Sequence, residues 1–147
     1  MSNELNIQSF QQNSSGVAAQ ISACEHLHVQ LRPDVERPYV KHVEAILEEG
    51  ARLAIGRVDG VISCLALYRI FKTTLDGPRL YVDDLVTDIR LRGKKYGEQL
   101  LQWVEDDARS EGCSMATLES GVQRADAHRF YFRSGYAVTA FSFEKAI

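Results

Sequence analysis

At 147 residues the chain is long enough for one domain with a sizeable core, and 45% hydrophobic with 25% charged residues is ordinary globular usage. A net charge of −3 gives no general attraction to nucleic acid or anionic membrane, so a basic cluster must act locally. With no secretory leader and no apolar run of ~18 residues, a soluble cytoplasmic protein without a membrane partner is expected.

In chain order, residues 5–10 read as a first strand. Ser15 can cap a helix in which Val17, Ile21, Cys24, Leu27 and Leu31 share a face, ending before Pro33. Pro38 opens a second helix with Val40, Val43, Ile46 and Leu47 inward, closed by Gly50. Asp59-Gly60 is a hairpin signal between strands at 53–58 and 61–71, and Asp76-Gly77-Pro78 turns into a strand at 80–87. A helix from 97 to 112, a strand at 115–119, a helix at about 125–134 and a strand at 136–143 complete the order. This order, β-α-α-β-β-β-α-β-α-β, predicts an α/β fold, a mixed sheet flanked by helices in one domain over residues 1–147.

Cys24, Cys64 and Cys113 lie in apolar-periodic segments without Cys-x-x-Cys spacing, which predicts buried, reduced thiols rather than nucleophiles. His26, His28 and His42 lack metal-ligand spacing, and no metal is expected.

Between the strand at 80–87 and the helix face of Tyr96, Leu100, Val104 and Ala108 lies Arg-Leu-Arg-Gly-Lys-Lys-Tyr-Gly, residues 90–97. A glycine-containing turn at a helix N-terminus bares amides with no intrahelical partner at the positive end of the helix dipole. Basic side chains added there suit phosphates, above all a pyrophosphate. The stretch is neither a Walker A loop nor a Gly-x-Gly-x-x-Gly fingerprint. Taken alone, it reads equally as a basic helix cap that binds nothing.

A second stretch, Arg124-Ala-Asp-Ala-His-Arg-Phe-Tyr-Phe-Arg-Ser-Gly-Tyr136, combines with the first. Together they resemble the acetyl-CoA-dependent GNAT N-acetyltransferases. The family's Gln/Arg-x-x-Gly-x-Gly/Ala signature maps onto Arg92, Gly93, Lys94, Lys95, Tyr96 and Gly97. Its later Ala, Phe-Tyr and Gly-Phe/Tyr map onto Ala127, Phe130, Tyr131, Gly135 and Tyr136. Val82-Asp-Asp-Leu-Val-Thr87 is similar to the strand that precedes the family's loop. Lys95 stands where the family usually has a glycine, and Arg124 where many members have Asn.

The resemblance implies transfer of an acetyl group from acetyl-CoA, the cosubstrate, directly to a primary amine, with no covalent enzyme intermediate. It implies backbone contacts to the pantetheine arm from Leu85, Val86 and Thr87, and protonation of the leaving thiolate by Tyr131. An alkyl amine with pKa ~10.4 costs roughly 4–5 kcal/mol to deprotonate at pH 7, so a base is needed. Asp83 is the first choice and Glu119 the second. Strand alternation sets Asp83 on the face opposite Asp84, and either candidate base could instead neutralise a cationic substrate. His128 reads as a surface or capping histidine. The acceptor is expected to be a small cationic molecule, and a homodimer is compatible with the family. Rival readings are an inactive acyl-CoA sensor on the same fold, a protein N-acetyltransferase, and a phosphate- or nucleotide-binding module.

Overall fold

In the computed structural model, which describes residues 4–147, the sequence periodicities become five strands and four helices. Asn6–Phe10 (β1) leads through a turn into Val17–Leu31 (α1), followed by Tyr39–Glu48 (α2). Ser15 does not cap α1. The turn out of β1 is closed by Ser14, whose hydroxyl accepts from the Gln11 amide (2.8 Å), and Gly16 takes the cap position at φ 68°. A left-handed residue is needed there, and glycine supplies it without steric cost.

Arg52–Val58 (β2) and Val61–Thr73 (β3) form the expected hairpin, with Asp59 and Gly60 at φ 50° and 80° as a two-residue primed turn requires. Gly77–Thr87 (β4), Tyr96–Ser110 (α3), Ala116–Leu118 (β5) and Ala125–Arg133 (α4) follow. The sheet order is β1-β2-β3-β4-β5. The first four strands pair antiparallel. The Leu80 amide donates to the Met115 carbonyl (3.0 Å) and the Thr117 hydroxyl to the Leu80 carbonyl (3.2 Å). These bonds hold the β5 segment against Leu80 at the edge of β4, and the sheet is mixed.

Each sheet face carries helices. On one, Ile21, Cys24 and Leu27 of α1 and Val43 and Leu47 of α2 bury against Leu53, Ile55, Leu65, Leu67 and Val86. On the other, α3 buries Tyr96, Leu100, Leu101, Val104 and Ala108. The Tyr68 hydroxyl donates to Asp107 on α3 (2.7 Å), and Arg52 pairs with Asp107 and Glu111, which marks the Tyr68 side of β3 as the α3 side.

The chain forms two compact units, the first ending at Thr117 and the second running from Leu118 to Ile147. In the second, residues 136–147 adopt no regular element, and Val138, Phe141 and Phe143 are exposed, where alternation predicts a strand at 136–143. Alternation states which face a strand would show, but a strand is held by a neighbouring edge. Apart from Leu118, no strand residue lies within that unit to offer one.

Candidate active site

Asp88 is buried just after β4, and its amide donates to the Ser63 carbonyl (2.9 Å), holding the strand end against β3. Its carboxylate accepts from the Arg90 amide (3.0 Å) and from the Arg90 guanidinium (3.1 and 2.7 Å). These bonds keep the Asp88 carboxyl well below its ordinary range. They also commit Arg90 to building the turn, so the basic groups exposed beyond it are Arg92, Lys94 and Lys95.

Gly93 (φ 82°) and Lys95 (φ 65°) are both left-handed and steer the chain into α3, which buried Tyr96 anchors. Lys95 is the N-cap and makes no side-chain cap. Its carbonyl takes the first intrahelical bond, from Gln99 (3.0 Å), so the amides of Tyr96, Gly97 and Glu98 precede the helical ladder. A 15-residue helix with this opening and three exposed cations suits a pyrophosphate; of the expected loop residues, Arg92 to Lys95 form the turn and Tyr96 and Gly97 begin the helix.

The left-handed angle explains why a glycine would suit position 95. An L side chain there costs about 1–2 kcal/mol, partly offset in a glycine variant by the greater entropy of its unfolded chain. Lys95→Gly should therefore raise the melting temperature, with a gain of about 0.5–1 kcal/mol by chemical denaturation. A lower midpoint would mean that the lysine side chain holds the turn.

On β4, Leu67 pairs with Asp84 and Tyr68 with Val82, which leaves Asp83 as the extra residue of a bulge. The bulge reverses the phase of the strand. Val82 lies opposite Tyr68, on the α3 side, whereas Asp84 and Val86 face α1 and α2. Asp83 lies on this same side, bonded to Arg69 (3.1 Å), which in turn reaches Glu49 beyond α2 (3.8 Å). The expectation that Asp83 and Asp84 occupy opposite faces is thus corrected: the inserted residue puts both toward α1 and α2.

The two carboxylates line separate hollows. Asp83 opens on one with Glu49, Arg69 and Tyr81. Burial raises its carboxyl above the ordinary value against the pull of Arg69, and neighbouring Asp84 adds to the rise. Asp84 borders a cavity of about 460 Å³ between α1, the following loop, α2 and the sheet, also lined by His28, Arg32, Asp34, Glu36 and His42. Its Oδ2 bonds His28 Nε2 (2.8 Å), and Tyr39 meets His28 Nδ1 (2.9 Å). Its Oδ1 accepts from Arg32 Nε (3.0 Å) and Nη2 (2.7 Å). Burial pushes Asp84 upward, but the His28 and Arg32 bonds outweigh it and the net shift is down. Ionised Asp84 only accepts, so His28 Nε2 carries a proton toward it. Sequence reasoning missed this Tyr39–His28–Asp84–Arg32 chain. The available signal was a histidine at 28 beside the buried stripe of Ile21, Cys24 and Leu27.

Leu85, Val86 and Thr87 pair with Ala66, Leu65 and Cys64 of β3. β5 is three residues long and aligned at Leu80, so this stretch of β4 runs past it. In the second unit, Tyr131 lies on α4 with ring centroids 5.2 Å from Phe130 and 5.9 Å from Tyr136. Glu119 is exposed just after β5. His128 Nε2 bonds the Gly121 carbonyl (2.8 Å), in the loop that precedes α4. Arg124 is the N-cap of α4 without a side-chain cap, which is the position an Asn would cap. All three cysteines are buried and free, and burial pushes the Cys24 and Cys64 thiols up to about 12, the opposite of an activated nucleophile. No cluster of metal-ligating side chains occurs among the described residues.

A family model described as the acetyltransferase (GNAT) family matches residues 20–136. The chain is 39% identical over 98 residues to the aminoalkylphosphonate N-acetyltransferase of Salmonella typhimurium, over 65% of this chain and 62% of that protein, just under two thirds of the relative's length. It is 32% identical over 123 residues to the uncharacterized N-acetyltransferase YhdJ of Bacillus subtilis, over 80% and 85% of the two chains. Among solved structures, an aminoglycoside acetyltransferase from an uncultured soil metagenomic sample, in complex with sisomicin, superposes with TM-score 0.82 at 13% identity, over 97% and 96% of the chains. The aminoglycoside N-acetyltransferase AAC(6')-Iy in complex with CoA gives 0.81 at 15% identity, over 100% and 97%. The two superpositions establish a shared fold, and the two sequence relatives are N-acetyltransferases by name. The chain belongs to the GNAT acetyltransferase family.

Proposed function

We propose that this chain is an acetyl-CoA-dependent N-acetyltransferase that acetylates a primary amine of a small cationic molecule by direct transfer. The observation that carries the reading is the opening of α3, where amides that precede the helical ladder follow a turn exposing the cations Arg92, Lys94 and Lys95, which suits a pyrophosphate. The names of the Salmonella relative and of the aminoglycoside enzymes support an amine acceptor. The family match crosses both compact units, which supports one catalytic domain over residues 1–147. Buried free thiols suit a reducing compartment such as the cytoplasm.

Acetyl-CoA supplies an acetyl group activated as a thioester. The amine nitrogen bonds the carbonyl carbon, the carbon–sulfur bond breaks, the amine loses a proton and the thiolate gains one. The backbone of Leu85, Val86 and Thr87 holds the pantetheine arm, and Tyr131 gives the thiolate its proton. Asp83 receives the amine proton through water, its raised pKa making it a better base than an ordinary aspartate. Glu119 is the matched control. A free-thiol release assay with acetyl-CoA and pooled amines tests the activity.

Asp83→Asn should slow turnover about tenfold near neutral pH, at the modest end for acid–base partners because water can relay the proton, and recover part of the loss at high pH. Glu119→Gln should show no such pH-dependent recovery. A change in KM alone at Asp83, mimicked by salt, would leave that residue as an electrostatic attractor.

A further inference from the structure

The Tyr39–His28–Asp84–Arg32 chain has no part in the loop, the strand edge or the tyrosine described above, yet three of its members, His28, Asp84 and Arg32, line the 460 Å³ cavity. Its two ends differ in kind. The His28 end is fixed: His28 is buried, and it bonds both Tyr39 and Asp84 Oδ2. The Arg32 end is a long side chain, 53% exposed, ending on an Asp84 carboxylate that is only 11% exposed. Arg32 Nη2 also lies 3.5 Å from the Asp83 carbonyl. A buried, ionised carboxylate needs a cation or several donors to offset its lost hydration. Here the second partner is one that can swing into solvent.

The rest of the wall has the same sign. Asp34 and Glu36 add two carboxylates, and His42 is already turned toward Glu36 at 3.4 Å. Three carboxylates face one guanidinium, so the cavity favours a positively charged occupant. Its volume is that of a small-molecule site. Asp84 adjoins Leu85, the first residue of the stretch of β4 assigned to the pantetheine arm.

Resting on the acetyltransferase reading, we propose that Asp84 is the ammonium-binding residue of the acceptor site, with Arg32 as a resident cation that the acceptor's ammonium group displaces from Oδ1. His28 is its positioning residue: it fixes Oδ2 so that Oδ1 is presented to the cavity, and Tyr39 orients His28 through Nδ1. The ammonium held there is the acceptor's second, non-reacting charge, in a cavity that Asp34 and Glu36 also line, so the acceptor class is a diamine and an amine carrying phosphonate is disfavoured.

The test measures KM and kcat by thiol release with 1,4-diaminobutane and with 2-aminoethylphosphonate, alongside the melting shift given by acetyl-CoA. Asp84→Asn should raise KM for the diamine about tenfold or more, with a smaller change in kcat and an unchanged acetyl-CoA shift. Arg32→Ala should lower KM for the diamine about threefold or more, because the competing cation is gone. His28→Leu should raise KM as Asp84→Asn does, and His28→Gln, which restores a donor toward Oδ2, should recover much of the loss. If Arg32→Ala instead raises KM and the phosphonate is the better substrate, Arg32 binds the acceptor's anion and the proposal is overturned. An unchanged KM in Asp84→Asn overturns it as well. Wild type that releases no thiol with any amine would defeat the acetyltransferase reading itself, a result distinct from either of these.

Discussion

Tyr131→Phe should lower kcat by ~10²-fold or more while leaving acetyl-CoA affinity nearly unchanged. The phenolic hydroxyl is the only group the substitution removes. The ring keeps its edge-on contacts with Phe130 and Tyr136, and the end of α4 is held by backbone bonds, with the Tyr131 carbonyl accepting from the Ser134 (3.1 Å) and Tyr136 (3.0 Å) amides. A melting curve of the variant separates a loss of rate from a loss of fold. Steady-state thiol release at saturating substrates is the measurement. An unchanged kcat, with chemistry limiting, would make Tyr131 a packing residue.

Gly97→Asp should weaken acetyl-CoA binding by at least ~100-fold, because it places bulk and a negative charge among the amides meant for the pyrophosphate. The same change should not destabilise the fold. A carboxylate in the first turn of a helix is favourable to the dipole, and aspartate has the better helix propensity. Glu98 already occupies that turn. Binding and stability thus move apart, and isothermal titration beside a denaturation curve reads both. Affinity lost together with stability would point to damage in α3 rather than to a blocked phosphate site.

The element order through α4 was legible because hydrophobic spacing, Asp59-Gly60, Pro38 and the glycines of residues 90–97 each act locally. What escaped depends on partners distant in sequence. Val82-Asp-Asp-Leu fits either phase of a strand, and only the pairing with Leu67 and Tyr68 shows that Asp83 is inserted. Residues 136–143 have the alternation of a strand but no neighbouring edge in their unit. Ser15 has the chemistry of a cap, yet the turn from β1 requires left-handed Gly16 instead. In the site, the loop was readable from its basic and glycine residues. The demotion of Arg90 to a structural partner of Asp88 was not, since it rests on the burial of that carboxylate. The Asp84 network joins residues up to 56 positions apart and leaves one trace in the sequence, a polar residue beside an apolar stripe.

The central claim is that the opening of α3 holds the pyrophosphate of CoA, and thermal shift with three ligands tests it most directly. A ligand that binds only the native state raises the melting temperature by mass action. Acetyl-CoA should give a clear rise, dephospho-CoA should keep most of it, and pantetheine, which lacks the pyrophosphate, should lose most of it at equal concentration. Equal shifts from pantetheine and CoA would contradict the account and remove the phosphate role from residues 92–97.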